Sequence, residues 1–212
     1  MEPWIRPSDH TGFIERMVVA CLKTSGREIE FKNYPYFRRI KEFTKEKLDV
    51  VTDINEKLYH EKRMQGFYTG RIYSYKNKFF SLKKNNFKIE KISDLKDYSI
   101  AAWKGSSTFL SGDYLLMSQN NKKYTEDFKL KKQIRLLYLG RVQFLMMDEQ
   151  IFKFYRDQLI EEKVISSKEL VSTYDFLEPI PTGFLFQTKK MRDLCVENTK
   201  SLSFVREFSF LK

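Results

Sequence analysis

The stretch Asp97 to Leu110, DYSIAAWKGSSTFL, constrains this chain more than any other, because it reads as a short apolar strand running directly into the first turn of a helix. Ser99 to Trp103 is an apolar run bounded by polar residues, the pattern of a buried strand. Gly105 permits a sharp backbone turn that a residue with Cβ resists, and Ser106 or Ser107 can cap the helix beyond it. The first amides of a helix lack partners within it, so such a joint can hold a carboxylate or another anion. The alternative is an ordinary strand-to-helix connection, and only its neighbours separate the two.

Upstream, Phe13, Met17, Val18, Cys21 and Leu22 recur at helical spacing over about residues 12–24, with Asp9 or Thr11 as cap. Glu28 to Tyr34 alternates as a half-buried strand should. A second helix is expected over Tyr36 to Lys47, and a strand over Leu48 to Ile54. This α-β-α-β order favours a parallel sheet with helices on its faces. In such sheets the crevice lies beyond the carboxyl ends of the strands, which points to Asp53, Asn55 and Arg63.

From Arg71 to Ile92 the chain shows short alternating stretches, IYSY, KFFSL and FKIEKI, separated by Lys/Asn turns, and these mark the crossing into a second lobe. Phe109 to Met117 is expected to continue the helix that follows Gly105. Phe128 to Leu130 suggests a strand, Gln133 to Leu139 a helix, and Val142 to Met147 an apolar strand. Asp148 falls where that strand meets the helix Glu149 to Glu162, placed either to cap it or to face the crevice. A strand near Glu169 to Thr173 precedes a return crossing at Pro179-Ile180-Pro181. The strand Thr182 to Phe186 and a closing helix over Lys189 to Phe208, with Leu194, Val196, Leu202 and Val205 inward, complete the chain.

Lys and Arg outnumber Asp and Glu by 39 to 28, a net charge of +11 that raises nucleic acid or anionic lipid as partners. The excess is scattered among loop-like segments and no nucleic-acid motif accompanies it, so nucleic-acid binding is not expected. No apolar run reaches the ~18 residues of a membrane span. Cys21 and Cys195 sit in helix-like apolar patterns, where buried free thiols are expected, or one disulfide if those helices touch. His10 and His60 have no ligand-spaced partners, so neither a metal nor another cofactor is expected.

Taken in order, several landmarks resemble the bacterial extracellular solute-binding proteins of family 3, the polar amino-acid binding components of ABC importers. They are Glu2-Pro3-Trp4, Thr11-Gly12-Phe13, Lys47 to Val51 followed by Glu61-Lys62-Arg63, Ser93 to Lys96, Trp103 to Thr108, Gly140-Arg141-Val142 through Asp148, and Pro181 to Phe184. The resemblance implies a two-lobed α/β fold of the type 2 periplasmic-binding class, each lobe a mainly parallel sheet flanked by helices, with the ligand cleft between lobes. Lobe 1 would comprise residues 1–74 and 179–212, and lobe 2 residues 75–178.

It implies Arg63 as clamp for a ligand carboxylate, Ser106 and Ser107 as added donors with Thr108 beside them, and Asp148 as acceptor for the ligand ammonium. Trp103, Trp4 and Tyr36 would be aromatic walls, with core packing the alternative for each. A planar guanidinium binding a carboxylate bidentately, and an aspartate answering an ammonium, is sound chemistry for a zwitterion. The implied role is capture of a small polar ligand of the amino-acid kind by lobe closure for an ABC permease, without chemical change, in the periplasm. The same fold in a signalling input domain is the alternative. A few relatives are dehydratases, but no poised acid–base pair is evident here.

Two departures stand out. Thr52-Asp53-Ile54-Asn55 and a longer spacer replace the serines usual before Glu-Lys-Arg, and an extra carboxylate at Asp53 would repel a ligand carboxylate or suit a cationic ligand. The family's first strand, before the Pro-aromatic landmark, is missing. A start at an internal Met, with the signal peptide lost upstream, is the expectation, because a gap in the sheet would leave backbone groups unpaired.

Overall fold

The structure is a computed structural model that describes residues 1–110 and 112–200. The chain divides into two compact units, one made of Met1–Tyr75 and the chain from Ile180 onward, the other of Lys76–Pro179.

The first unit begins with helices α1 (Phe13–Leu22) and α2 (Tyr36–Thr44), strand β1 (Val50–Asn55) and the short helix α3 (Glu56–Glu61). Strands β2 (Phe67–Tyr68) and β3 (Tyr73–Tyr75) follow. After the second unit, the chain returns as β9 (Ile180–Phe186) and α8 (Lys189–Lys200). β9 is the hub, pairing antiparallel with β1, β2 and β3. Gly183 lies in β9 because a Cβ there would come within 2.1 Å of the Gly70 carbonyl oxygen, too close for any side chain. Phe43, Val51, Ile54, Tyr68 and Leu185 form a core cluster between α2 and the sheet.

Two expectations fail in this unit. Residues 28–34 have no regular structure and belong to no strand, and β1 has a described partner on one edge only. The parallel neighbour expected for β1 is therefore absent among the described pairings, and every described pairing of this unit is antiparallel. Alternation in the sequence reports a half-buried segment, but a strand also requires a neighbour at hydrogen-bonding distance. The cysteines also differ from the free thiols expected. Cys21 on α1 and Cys195 on α8 form a disulfide, both fully buried, and Asn198 donates to the Cys21 carbonyl beside it. The expected inward positions Leu202 and Val205 lie outside the described residues.

The second unit contains β4 (Asn77–Leu82), β5 (Ile100–Trp103), α4 (Ser106–Phe109), α5 (Asp113–Asn120), β6 (Tyr124–Asp127), α6 (Leu130–Tyr138), β7 (Phe144–Asp148), α7 (Glu149–Glu161) and β8 (Val171–Tyr174). The sheet order is β6-β5-β7-β4-β8. β5 runs parallel to β6 and β7, whereas β4 runs antiparallel to β7 and β8. Phe79, Leu95, Ile100, Ala102, Tyr114, Phe144 and Met146 are the buried core on one face.

FKIEKI, expected as a strand, is irregular chain whose Phe87 and Ile89 pack against that core. The strand expected at Phe128 to Leu130 lies instead at β6, with Phe128 exposed beyond its end. The helix expected through Phe109 to Met117 is broken into α4 and α5, with Gly112 in a left-handed conformation at the break.

Candidate functional site

In the first unit, polar side chains gather around Asp53. It sits on β1 where the register with β9 shifts between Val51 and Ile54, and its φ of +62° is a left-handed conformation that costs a non-glycine residue roughly 1–3 kcal/mol. In return its carboxylate accepts hydrogen bonds from Arg39 Nη2 at 2.9 Å, Tyr75 Oη at 2.8 Å and Tyr73 Oη at 3.3 Å. Arg39, delivered by α2, also donates to the Asp53 carbonyl and lies 4.8 Å from the centroid of the Tyr36 ring. Burial works against the charge on Arg39, but Asp53 outweighs it and holds the guanidinium above its ordinary pKa. Burial, with Asp53 adding to it, pushes the Tyr73 phenol well up.

Trp4 belongs to the same cluster, stacked on Tyr73 at 5.2 Å and edge-on to Tyr75 and Phe13, with 7% of its surface exposed. Tyr36 meets Phe37 edge-on. Asn55 caps α3, its Oδ1 accepting from the Leu58 amide at 3.1 Å. Arg63 follows α3 at φ +45°, exposed, its amide donating to the His60 carbonyl. Among the described residues its guanidinium has no ion pair or hydrogen bond.

In the second unit, the Gly-Ser-Ser joint does hold a carboxylate, and that carboxylate is the chain's own Glu126. Gly105 N–H donates to Glu126 Oε2 at 2.7 Å, while Ser107 N–H donates to Oε1 at 2.8 Å. The Tyr124 hydroxyl donates to Oε1 at 2.9 Å and the Ser106 hydroxyl at 3.2 Å. Tyr114 closes the network by donating to Ser106 Oγ at 3.1 Å, and Ser106 is fully buried. Burial alone would raise the Glu126 pKa, but the Ser107 hydroxyl and amide, the Gly105 amide and Tyr124 bring it down to about 2. Burial pushes Tyr124 up to about 12.

A depressed folded-state pKa contributes stability above the unfolded value and loses it as pH falls through the folded one. The Glu126 network therefore adds on the order of 2 kcal/mol at neutral pH, discounted for solvent screening, and loses it between about pH 4.5 and 2. Urea titrations at pH 7 and pH 3 check this, with Glu126→Gln expected to remove most of that acid sensitivity.

Asp148 caps α7, its Oδ1 accepting from the amides of Gln150 and Ile151 while Oδ2 accepts from the Lys76 amide, and it is 3% exposed. Trp103 Nε1 donates to Asn77 Oδ1 at 3.1 Å, and Thr108 is exposed on α4. Asp53, Tyr36 and Trp4 are thus brought together, as are Ser106 and Ser107, whereas Arg63 and Asp148 fall in different units.

Sequence reasoning missed Arg39, Tyr73, Tyr75, Asn77, Tyr114, Tyr124 and Glu126. Glu126 was legible in principle, since placing the strand at Tyr124 to Asp127 brings its carboxylate beside the β5 turn. No group of acidic, His or Cys residues suited to a metal occurs among the described residues. No described helix is long and apolar enough to cross a membrane.

No family model matches the sequence, and no curated protein matches it significantly. Solved structures match over nearly all of it. The GluR0 ligand-binding core in complex with L-glutamate aligns with a TM-score of 0.73 at 14% identity, covering 99% of this chain and 91% of that one. An ancestral cationic amino-acid solute-binding protein aligns at 0.71 and 16% identity, covering 99% and 89%. A histidine kinase sensor domain similar to periplasmic binding proteins aligns at 0.68 and 13%, with the same coverage.

The fold is that of the type 2 periplasmic binding proteins. Within that fold, β1 carries Asp53 and leads into Arg63, and the β5 to α4 joint carries Ser106 and Ser107. At these identities the likeness establishes the fold, and the ligand has to be argued from the side chains.

Proposed function

We propose that the protein captures a small polar ligand of the amino-acid kind without chemical change, with Arg63 gripping the ligand carboxylate. The observation that supports this reading is the state of its cationic and anion-binding groups. Arg39 is spent on Asp53, and the Gly105 and Ser107 amides are spent on Glu126. Arg63 is uncommitted among the described residues and is held in a left-handed backbone conformation, the kind of strain that clusters at ligand clamps. Its planar fork suits a carboxylate bidentately.

Trp103 supplies an aromatic wall in this reading, and Ser107 and Thr108 supply hydroxyls. Asp148 receives the ligand ammonium in addition to capping α7. Asp53, Asn55, Tyr36 and Trp4 shape and support the first unit's contribution. Delivery to an ABC permease from the periplasm is the role this assignment fits. A sensory role is the second reading, favoured by the match to a histidine kinase sensor domain.

A thermal-shift panel of amino acids tests the binding claim. At a concentration of about 100 Kd the correct ligand raises stability by about 2.7 kcal/mol, or roughly 5–10 °C. Asp148→Asn removes the charge and keeps the α7 cap through Oδ1, but its NH2 then faces the Lys76 amide that Oδ2 accepts from, which costs about 1–3 kcal/mol. The variant is expected to melt up to about 10 °C below the parent and, measured from its own unliganded midpoint, to lose most of the ligand-induced rise. A parent chain unmoved by every amino acid overturns the proposal.

A further inference from the structure

The positive charge that is scattered along the sequence lines up on α6 of the second unit. Leu130, Gln133, Ile134 and Leu137 turn inward, which leaves Lys132, Arg135 and Leu139 as one outward row at helical spacing. Phe128 stands just before the helix with 77% of its surface exposed, and Leu139 at the other end is 58% exposed. Lys129 and Arg141 are exposed at the same two ends.

No acid answers these cations. Among the described residues the side chains of Lys129, Lys132, Arg135 and Arg141 have no ion pair or hydrogen bond, because Glu162 is taken by Lys131 at 2.6 Å and the Asp127 carboxylate accepts the Lys129 amide. The first turn of α6 contains no acid either, so its lysines oppose the positive end of the helix dipole. Such an arrangement weakens a helix until an anionic partner meets it.

The two apolar tips decide the kind of partner. Roughly 15 Å of chain separates Phe128 from Leu139, with cations between them. A protein partner is suited by a contiguous apolar patch, which this row lacks. A bilayer surface takes single aromatic and aliphatic tips among its headgroups, while the phosphates meet the lysines and arginines.

We propose that the outward row of α6 docks the protein reversibly on an anionic lipid membrane, with Phe128 and Leu139 dipping among the headgroups and the four cations on the phosphates. The row shares no residue with those assigned to the captured ligand, so docking and capture are separable.

Co-sedimentation of the full chain with vesicles of about 30% phosphatidylglycerol in phosphatidylcholine, at about 0.15 M salt, tests the proposal, with pure phosphatidylcholine vesicles alongside. Saturable binding to the anionic vesicles and none to the neutral ones is expected. Lys132→Gln combined with Arg135→Gln weakens binding about thirtyfold, the worth of two basic groups at an anionic surface. Phe128→Ser leaves the charge unchanged and weakens binding about tenfold. All three positions are exposed, and a melting midpoint equal to the parent's shows that each variant is folded. Lys83→Gln with Lys88→Gln removes the same charge from exposed positions elsewhere in the unit and changes affinity by about threefold or less. No binding of the parent to the anionic vesicles overturns the proposal. An equal loss in the Lys83 and Lys88 pair also overturns it, by assigning the attraction to net charge, and so does unchanged affinity in Phe128→Ser, by assigning the row to a soluble polyanion.

Discussion

Replacing Cys21 and Cys195 together by alanine lowers the thermal midpoint by about 10 °C. The disulfide closes a sequence separation of 174 residues, so removing it frees one of the longest loops the chain can form in its unfolded ensemble. Loops of that length correspond to roughly 3–5 kcal/mol in the chain-entropy account, and about 1 kcal/mol moves the midpoint of a domain this size by 2–4 °C. The bridge also ties α1 to α8, elements from opposite ends of the sequence that pack within one unit. Differential scanning calorimetry of the double variant, and of the parent under reducing conditions, should give matching shifts. A shift below about 3 °C in both would show that packing of α1 on α8 holds without the bond.

Arg39→Met is the second large effect. The substitution keeps the aliphatic stem and its packing but removes the only cation bonded to Asp53 in the structure as described, leaving a carboxylate with 23% side-chain exposure faced by two tyrosine hydroxyls. Breaking a buried ion pair from one side costs about 3–5 kcal/mol, and partial exposure of Asp53 reduces this to about 2–4 kcal/mol. The penalty belongs to the stranded charge more than to the lost attraction. Arg39→Met combined with Asp53→Asn should therefore recover much of the loss in a double-mutant cycle. Urea denaturation is the measurement, and a double variant no more stable than the single would contradict the ion-pair account.

The elements legible in the sequence were those whose burial pattern has one physical cause. α1, α2 and α7 show apolar residues at helical spacing because each buries one face, and β5 and β7 read as unbroken apolar runs because a central strand is covered on both sides. Residues 28–34 alternate for the same reason, yet pairing depends on a neighbour that no local pattern reports. β6 was misplaced because YTED carries Glu126 and Asp127, which read as loop residues; only the fold shows that Glu126 is paired with the β5 turn.

The Gly-Ser-Ser joint was legible as an anion cradle, and the identity of its anion was not. Long-range partners of that kind are set by topology, and the separation between Ser107 and Glu126 is invisible to periodicity. The disulfide was left open for the same reason, since contact between α1 and α8 is a property of the fold.

The account's central claim is that an uncommitted guanidinium at Arg63 recognises a ligand carboxylate. Isothermal titration calorimetry of the parent and of Arg63→Ala, against the amino acids that raise the melting midpoint, tests it most directly. The account predicts saturable binding to the parent and a loss of about a hundredfold in affinity for the variant, the worth of a charge-assisted bidentate contact. Equal affinity in the two proteins, with the variant folded, would contradict it.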